Sequence, residues 1–142
     1  MLSSVKAPKT IYIEKEAFNE CSNLSSINLP SVNTLGDRSF LSCTSLSSVD
    51  FPNVKNAGIR CFGDCPSLIS ANLPKLSSAG QQLFENCTNL SSVSLESLEN
   101  TGSSTFSNCR TLISVYIPNA KTIGNNAFEG CSSIVSVDIP NA

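Results

Sequence analysis

The sequence contains no histidine and no tryptophan, one methionine and two tyrosines in 142 residues. Without histidine the usual general base at neutral pH is missing, and so is the commonest metal ligand. A Ser-His-Asp arrangement is excluded with it. Charge is scarce as well: 14% of residues are charged, with a net charge of −2, where soluble domains carry about 25%. That removes the basic footprint nucleic-acid binding needs, and no Lys/Arg cluster is present to hold an anionic membrane. No apolar run approaches the ~18 residues of a membrane span. Met1 to Thr10 lacks the apolar stretch of a signal peptide. The seven glycines come singly, so there is no phosphate-binding loop.

What the chain does have is a step of 22 residues that never slips. Cys21, Cys43, Cys65, Cys87, Cys109 and Cys131 mark it, and Phe18, Phe40, Phe62, Phe84, Phe106 and Phe128 keep the same interval. A third column runs Leu2, Leu24, Leu46, Leu68, Leu90, Leu112 and Ile134. A strict period of this size means a stacked repeat architecture, because one unit cannot bury its apolar face alone and neighbours must do it. Residues 1–142 read as one solenoid: a half unit over 1–8 and six units over 9–140. Neither end carries a polar capping unit. The chain is therefore expected to be a piece of a longer array, or to pair with other subunits through its ends.

Each unit carries an apolar stretch such as Leu46-x-x-Val49-x-Phe51-Pro52 or Leu112-x-x-Val115-x-Ile117-Pro118. Its last residues alternate apolar and polar, the pattern of a strand with one buried face. In-register stacking predicts one parallel sheet of seven short strands in a right-handed solenoid, about 30 Å wide at the usual strand spacing. Proline ends the strand at Pro8, Pro30, Pro52, Pro74, Pro118 and Pro140, because it cannot donate to the ladder; Glu96 takes that place once. A glycine follows at Gly36, Gly58, Gly80, Gly102 and Gly124, read as backbone freedom for a corner. The stretch carrying Phe and Cys is too short for a helix. It is expected to be a turn or a 3₁₀ piece, with the phenylalanines forming a continuous internal spine.

One cysteine per unit, three residues after the phenylalanine, is not metal-site spacing. The column behaves as a small core residue. Cys61 is extra, in the column of Ala17, Ser39, Leu83, Thr105 and Ala127. It is either a reduced residue filling an alanine-type slot or half of a Cys61–Cys65 bridge. Asp50 and Asp138 share a column but lie about 19 Å apart by strand spacing, too far for a carboxylate pair on one glycosidic bond. No catalytic residue, metal site or cofactor is expected. Sequons at Asn23, Asn86 and Asn89 occur as expected by chance in a chain this rich in Ser and Asn.

The outward strand positions are more informative. One column is serine in every unit, from Ser4 to Ser136. Its neighbour varies: Lys6, Asn28, Asp50, Asn72, Ser94, Tyr116 and Asp138. A constant frame beside a variable row is how repeat proteins build a specific face, and Tyr116 is its one aromatic anchor. The alternative is that the row is solvated sheet surface.

The unit Gly124-x-x-x-Phe128-x-x-Cys131-x-x-Ile134-x-x-Val137-x-Ile139-Pro140 resembles the BspA-like class of leucine-rich repeats, and the resemblance covers essentially the whole chain. Members often carry a slightly longer repeat. The resemblance implies a leucine-rich-repeat solenoid of the α/β horseshoe class, rich in β-structure, from a surface or secreted protein. It also implies adhesion or binding to a protein ligand, and it brings no catalytic residues. The expected function is thus non-enzymatic recognition through the strand face, without nucleic acid or membrane insertion. The alternative is head-to-tail self-association through the solenoid ends.

Overall fold

The computed structural model describes residues 1–141. Seven three-residue strands, one per unit, line one side of the solenoid: β1 (Ser4–Lys6), β3 (Ser26–Asn28), β5 (Ser48–Asp50), β7 (Ser70–Asn72), β9 (Ser92–Ser94), β10 (Ser114–Tyr116) and β11 (Ser136–Asp138). The paired strands are parallel and in register by one repeat, with Ser4 opposite Ser26, Ser48 opposite Ser70 and Ser114 opposite Ser136. The middle residue of each strand faces the core, as in Val49, Ala71 and Val115. The ladder is not one sheet of seven, as the sequence predicts. It forms groups of two, three and two strands, with breaks between β3 and β5 and between β9 and β10. Strands of three residues share so few bonds that a small change of spacing interrupts the ladder. The first break adjoins Phe51, which packs tilted against the stacked pair Phe40 and Phe62, at 5.9 and 6.1 Å.

A second parallel sheet lies just past the proline, where no strand is evident from the sequence. It comprises β2 (Tyr12–Ile13), β4 (Thr34–Leu35), β6 (Asn56–Ala57) and β8 (Ser78–Ala79). Bridges from Ser78 to Asn100 and from Asn100 to Thr122 continue it. Two residues are too few to show a period-two pattern. Backbone bonds hold the corners at Gly36, Gly58 and Gly80 to the coil below, as from Gly58 N–H to Leu35 O and from Gly80 N–H to Ala57 O, both 2.8 Å.

The Phe–Cys stretch is a run of turns; no helix occurs among the described residues. Two positions per unit have left-handed backbone, for instance Arg60 (φ 52°) and Asp64 (φ 52°), or Gln82 and Asn86 (both φ 60°). A 3₁₀ helix requires consecutive right-handed residues, so these positions rule it out. None of the non-glycine residues here is β-branched, as the sterics of this region demand. Between them, amides at Phe40, Phe62 and Phe84 donate forward to the next coil at 2.9–3.0 Å. Neighbouring coils are thus hydrogen-bonded along as many as three lines, the strand line being interrupted at its two breaks.

The corner glycines serve a different purpose from the expected one. None of Gly36, Gly58, Gly80, Gly102 or Gly124 has positive φ. Each sits where the preceding coil's backbone passes too close for a side chain. A Cβ on Gly80 would lie 2.5 Å from the Ile59 nitrogen and 2.6 Å from the Gly58 carbonyl carbon. Gly80→Ala is therefore expected to cost about 1–3 kcal/mol, since backbone cannot swing aside as a side chain can. Gly63→Ala is the control: its nearest neighbour is a Leu41 methyl at 3.1 Å, and urea midpoints should show a much smaller loss. Equal losses would refute the close-approach account.

The core is the predicted spine. Successive phenylalanine rings from Phe18 to Phe128 stack with centroids 5.2–5.8 Å apart and planes within 14°. The Leu column, the strand centres and the cysteines close round it.

Candidate recognition surface

All seven residues of the variable row lie on strands β1, β3, β5, β7, β9, β10 and β11, in one line across the coils. Cα register pairs Lys6 with Asn28, Asp50 with Asn72, Asn72 with Ser94, and Tyr116 with Asp138. Six of the seven are exposed, and Ser94 is half-buried. Two of them are joined: Asn72 Nδ2 donates to Asp50 Oδ1 at 2.8 Å. The face is therefore open along its length, and partly pre-ordered at its centre.

A second column on the same face was not singled out by the alternation. The residue before each strand also points to solvent, because the chain turns between the buried Leu and the strand. In the first three units it is Ser3, Ser25 and Ser47; further on it is Ile69, Ile113 and Val135, with Ser91 between. Their exposures are 53%, 56% and 83%, and Tyr116 is 53% exposed. Val135 N–H bonds to Ile113 O at 2.8 Å, so these two side chains are on adjacent coils. The face divides into a hydroxyl-rich half and an aliphatic half carrying the tyrosine. The departure from serine in that column was the legible signal.

The interior holds the thiols, and it holds them inert. All seven cysteines are free, including Cys61 and Cys65. From the second full unit onward each column thiol donates to the phenylalanine carbonyl of the coil before it: Cys43 to Phe18 (3.1 Å), Cys65 to Phe40 (3.2 Å), Cys87 to Phe62 (3.0 Å), Cys109 to Phe84 (3.2 Å) and Cys131 to Phe106 (3.0 Å). Cys61 instead lies 3.0 Å from Ser39 Oγ. Burial pushes the Cys43 and Cys61 thiols up to about 12 from an ordinary 9.0, and pushes Cys65, Cys87 and Cys109 up as well. A buried thiol that stays protonated is neither a nucleophile nor a metal ligand. Among the described residues no group of three His, Cys, Asp or Glu side chains could hold a metal. An Ellman assay at pH 8 is expected to find the thiols unreactive until the chain unfolds, except half-buried Cys21 at the first coil; rapid labelling of all seven would contradict the thiol ladder.

A stacked coil with one short parallel strand, an internal Phe ladder and a buried Cys every 22 residues agrees with the model of the BspA-type leucine-rich repeat region, which matches six copies over residues 11–135. The chain belongs to the BspA-type leucine-rich-repeat family. No curated protein matches the sequence. Among solved structures, the solenoid is similar to a leucine-rich cell surface protein from Faecalibacterium prausnitzii A2-165, with TM-score 0.85 and 24% identity over 96% of this chain. The chain spans 38% of that protein's length. It is also similar to the T. pallidum leucine-rich repeat protein, with TM-score 0.76 and 21% identity over 95% of this chain and 76% of that one. A leucine-rich repeat protein from Bacteroides ovatus superposes with TM-score 0.54 at 23% identity, covering 96% of this chain and 48% of that one. At these identities the likeness shows the fold. The leucine-rich-repeat solenoid expected from the sequence is the one observed. Among the described residues no helix is long and apolar enough to cross a membrane.

Proposed function

We propose that this BspA-type solenoid is a non-enzymatic recognition or adhesion module, displayed on a cell surface or secreted as part of a longer repeat array, that binds a protein partner through its strand face. The observation that carries this reading is the exposed row from Lys6 through Asn28, Asp50, Asn72, Ser94 and Tyr116 to Asp138, set beside the aliphatic column of Ile69, Ile113 and Val135. Exposed apolar side chains grouped among polar ones mark an interaction surface on a soluble protein. The cell-surface description of the Faecalibacterium relative supports the placement outside the cell. The lack of histidine supports a binding role over a catalytic one.

The test is a binding screen of the immobilised protein against a panel of extracellular proteins, with each hit titrated against Tyr116→Ala and Ile113→Ser. Loss of an aromatic anchor is expected to cost about 2 kcal/mol of binding, roughly thirtyfold in affinity, with an unchanged melting temperature. Hits that bind both variants as tightly as the parent would defeat the strand-face reading.

A second reading has its own observation. At the two ends, columns buried elsewhere are open: Leu2 is 47% exposed against 0% for Leu24, and Val137 37% against 2% for Val115. Further units of an array would cover these surfaces, and so would a second copy stacked head to tail. Light scattering across a concentration series separates the two. A constant mass near 15.0 kDa removes self-stacking, and a mass that climbs with concentration supports it.

A further inference from the structure

The two ends of the solenoid are complementary. Along the turn line, amides of each coil donate forward to the next, as Phe18 N–H does to Ser39 O and Phe106 N–H to Ala127 O, both at 2.8 Å. In the last coil the corresponding donors are Asn126, Phe128 and Gly130 N–H, and among the described residues they have no acceptor. In the first coil the matching carbonyls, those of Lys15, Ala17 and Asn19, accept no backbone hydrogen bond. The thiol ladder ends in the same way. Phe106 O receives the Cys131 thiol at 3.0 Å, while Phe128 O lies one step beyond the last thiol and Cys21 one step before the first bonded one, Cys43. Donors therefore meet acceptors when the last coil of one copy is set on the first coil of another. In a two-fold pairing of last coils, donors would meet donors.

One segment stands in the way of that register. Residues 1–9 of the second copy fall on the places of residues 133–141 of the first, so β1 of one and β11 of the other claim the same edge of β3. Of the two, β1 is the poorer occupant. Two residues after the strand centre, Ala7 stands where the other units carry Leu29, Phe51, Leu73, Leu95, Ile117 and Ile139. We propose that residues 1–9 are a displaceable plug: β11 of one copy replaces β1 on β3 of the next, and copies join head to tail. Ser136, Val137 and Asp138 then pair with Ser26, Ile27 and Asn28, as Ser4, Val5 and Lys6 do within one chain. Ile139 fills the place of Ala7, and Phe128 stacks on Phe18 to continue the spine. Half-buried residues at both ends become fully buried, against the loss of one three-residue strand. The contact is heterologous, so it yields an open row of copies and not a two-fold dimer. This inference rests on the self-stacking reading above and names the segment that must move.

The test is to hold the intact chain at millimolar concentration in urea below its unfolding midpoint, return it to buffer, and separate the products by size with light scattering. Masses at multiples of 15.0 kDa are expected. Hydrogen exchange on the separated species then reports which segment moved. The Ala7 N–H donates to Asn28 O at 3.2 Å in the single chain; in the assembled species it should exchange at least about tenfold faster, and Phe128 and Gly130 N–H at least about tenfold slower. Ala7→Ile fills the column and holds β1 in place, so it should cut the assembled fraction several-fold. Assembled species in which Ala7 stays protected would overturn the plug and leave simple end-to-end stacking standing. A mass that stays at 15.0 kDa would overturn both. Assembly of Ala7→Ile to the same extent as the parent would overturn the plug as well.

Discussion

The protein is expected to lose stability steeply as pH rises above about 9. Cys43, Cys61, Cys65, Cys87 and Cys109 are fully buried, and burial raises their pKa values in the folded state, to about 12 for Cys43 and Cys61. In the unfolded chain the same thiols ionise near 9.0. Below that pH both states hold the proton, and the thiols make no pH-dependent contribution. Above it the unfolded state releases protons that the folded state retains, so stability falls as pH rises. One unit above 9.0, each thiol costs on the order of 1 kcal/mol. Five of them together remove several kcal/mol, comparable with the whole stability of an ordinary domain, about 5–15 kcal/mol. Urea midpoints measured from pH 7 to pH 10.5 should be level to about pH 8 and then drop steeply. Replacing Cys43, Cys87 and Cys109 by alanine should flatten the alkaline limb, even though it lowers the neutral-pH midpoint. An unmodified chain whose midpoint is the same at pH 7 and pH 10.5 would show that the thiols are not held protonated by burial.

Phe62→Ala carries the second large effect. Phe62 stacks on Phe40 and Phe84, both at 5.6 Å, leans on Phe51 at 6.1 Å, and has no exposed surface. Truncating a buried phenylalanine costs about 3–5 kcal/mol, from lost transfer energy and the cavity left behind. The coils on either side are pinned by their own ladders, so the cavity cannot collapse. Phe18 has one stacked neighbour, at 5.2 Å, and is only partly buried. Phe18→Ala should therefore cost clearly less. Denaturation of the two variants side by side tests whether the spine acts as a continuous element. Equal losses would mean that each ring contributes through its own coil alone.

The columns that carry this fold were legible because identical neighbours impose identical environments. Phe, Cys and Leu recur because each must meet its own kind one coil away. The strand line and the variable row followed from alternation alone, and the structure puts Lys6 through Asp138 on that line. What the sequence concealed depends on the offset between coils. The carbonyl that accepts each thiol lies 25 residues earlier, a distance no local pattern reveals. A glycine chosen for φ and a glycine chosen for clearance look alike, and only the close passage of Ile59 past Gly80 separates them. The left-handed residues were hidden more deeply. Glu16, Arg38 and Arg60 hold positive φ although their side chains give no sign of it; only the run Asp64, Asn86, Asn108 and Gly130 in the companion column hinted at that backbone.

The register of one repeat also sets how such a chain can be made. Among the described residues, the strand pairs and ring stacks join residues 22 positions apart, and the thiol–phenylalanine carbonyl bonds join residues 25 apart. The loop to be closed is therefore the same for the first coil as for the last, and it does not lengthen as units are added. A coil finds these partners once the 25 residues that follow it have been synthesised. Folding can keep pace with the ribosome, laying down one coil after another while the rest of the message is still being translated.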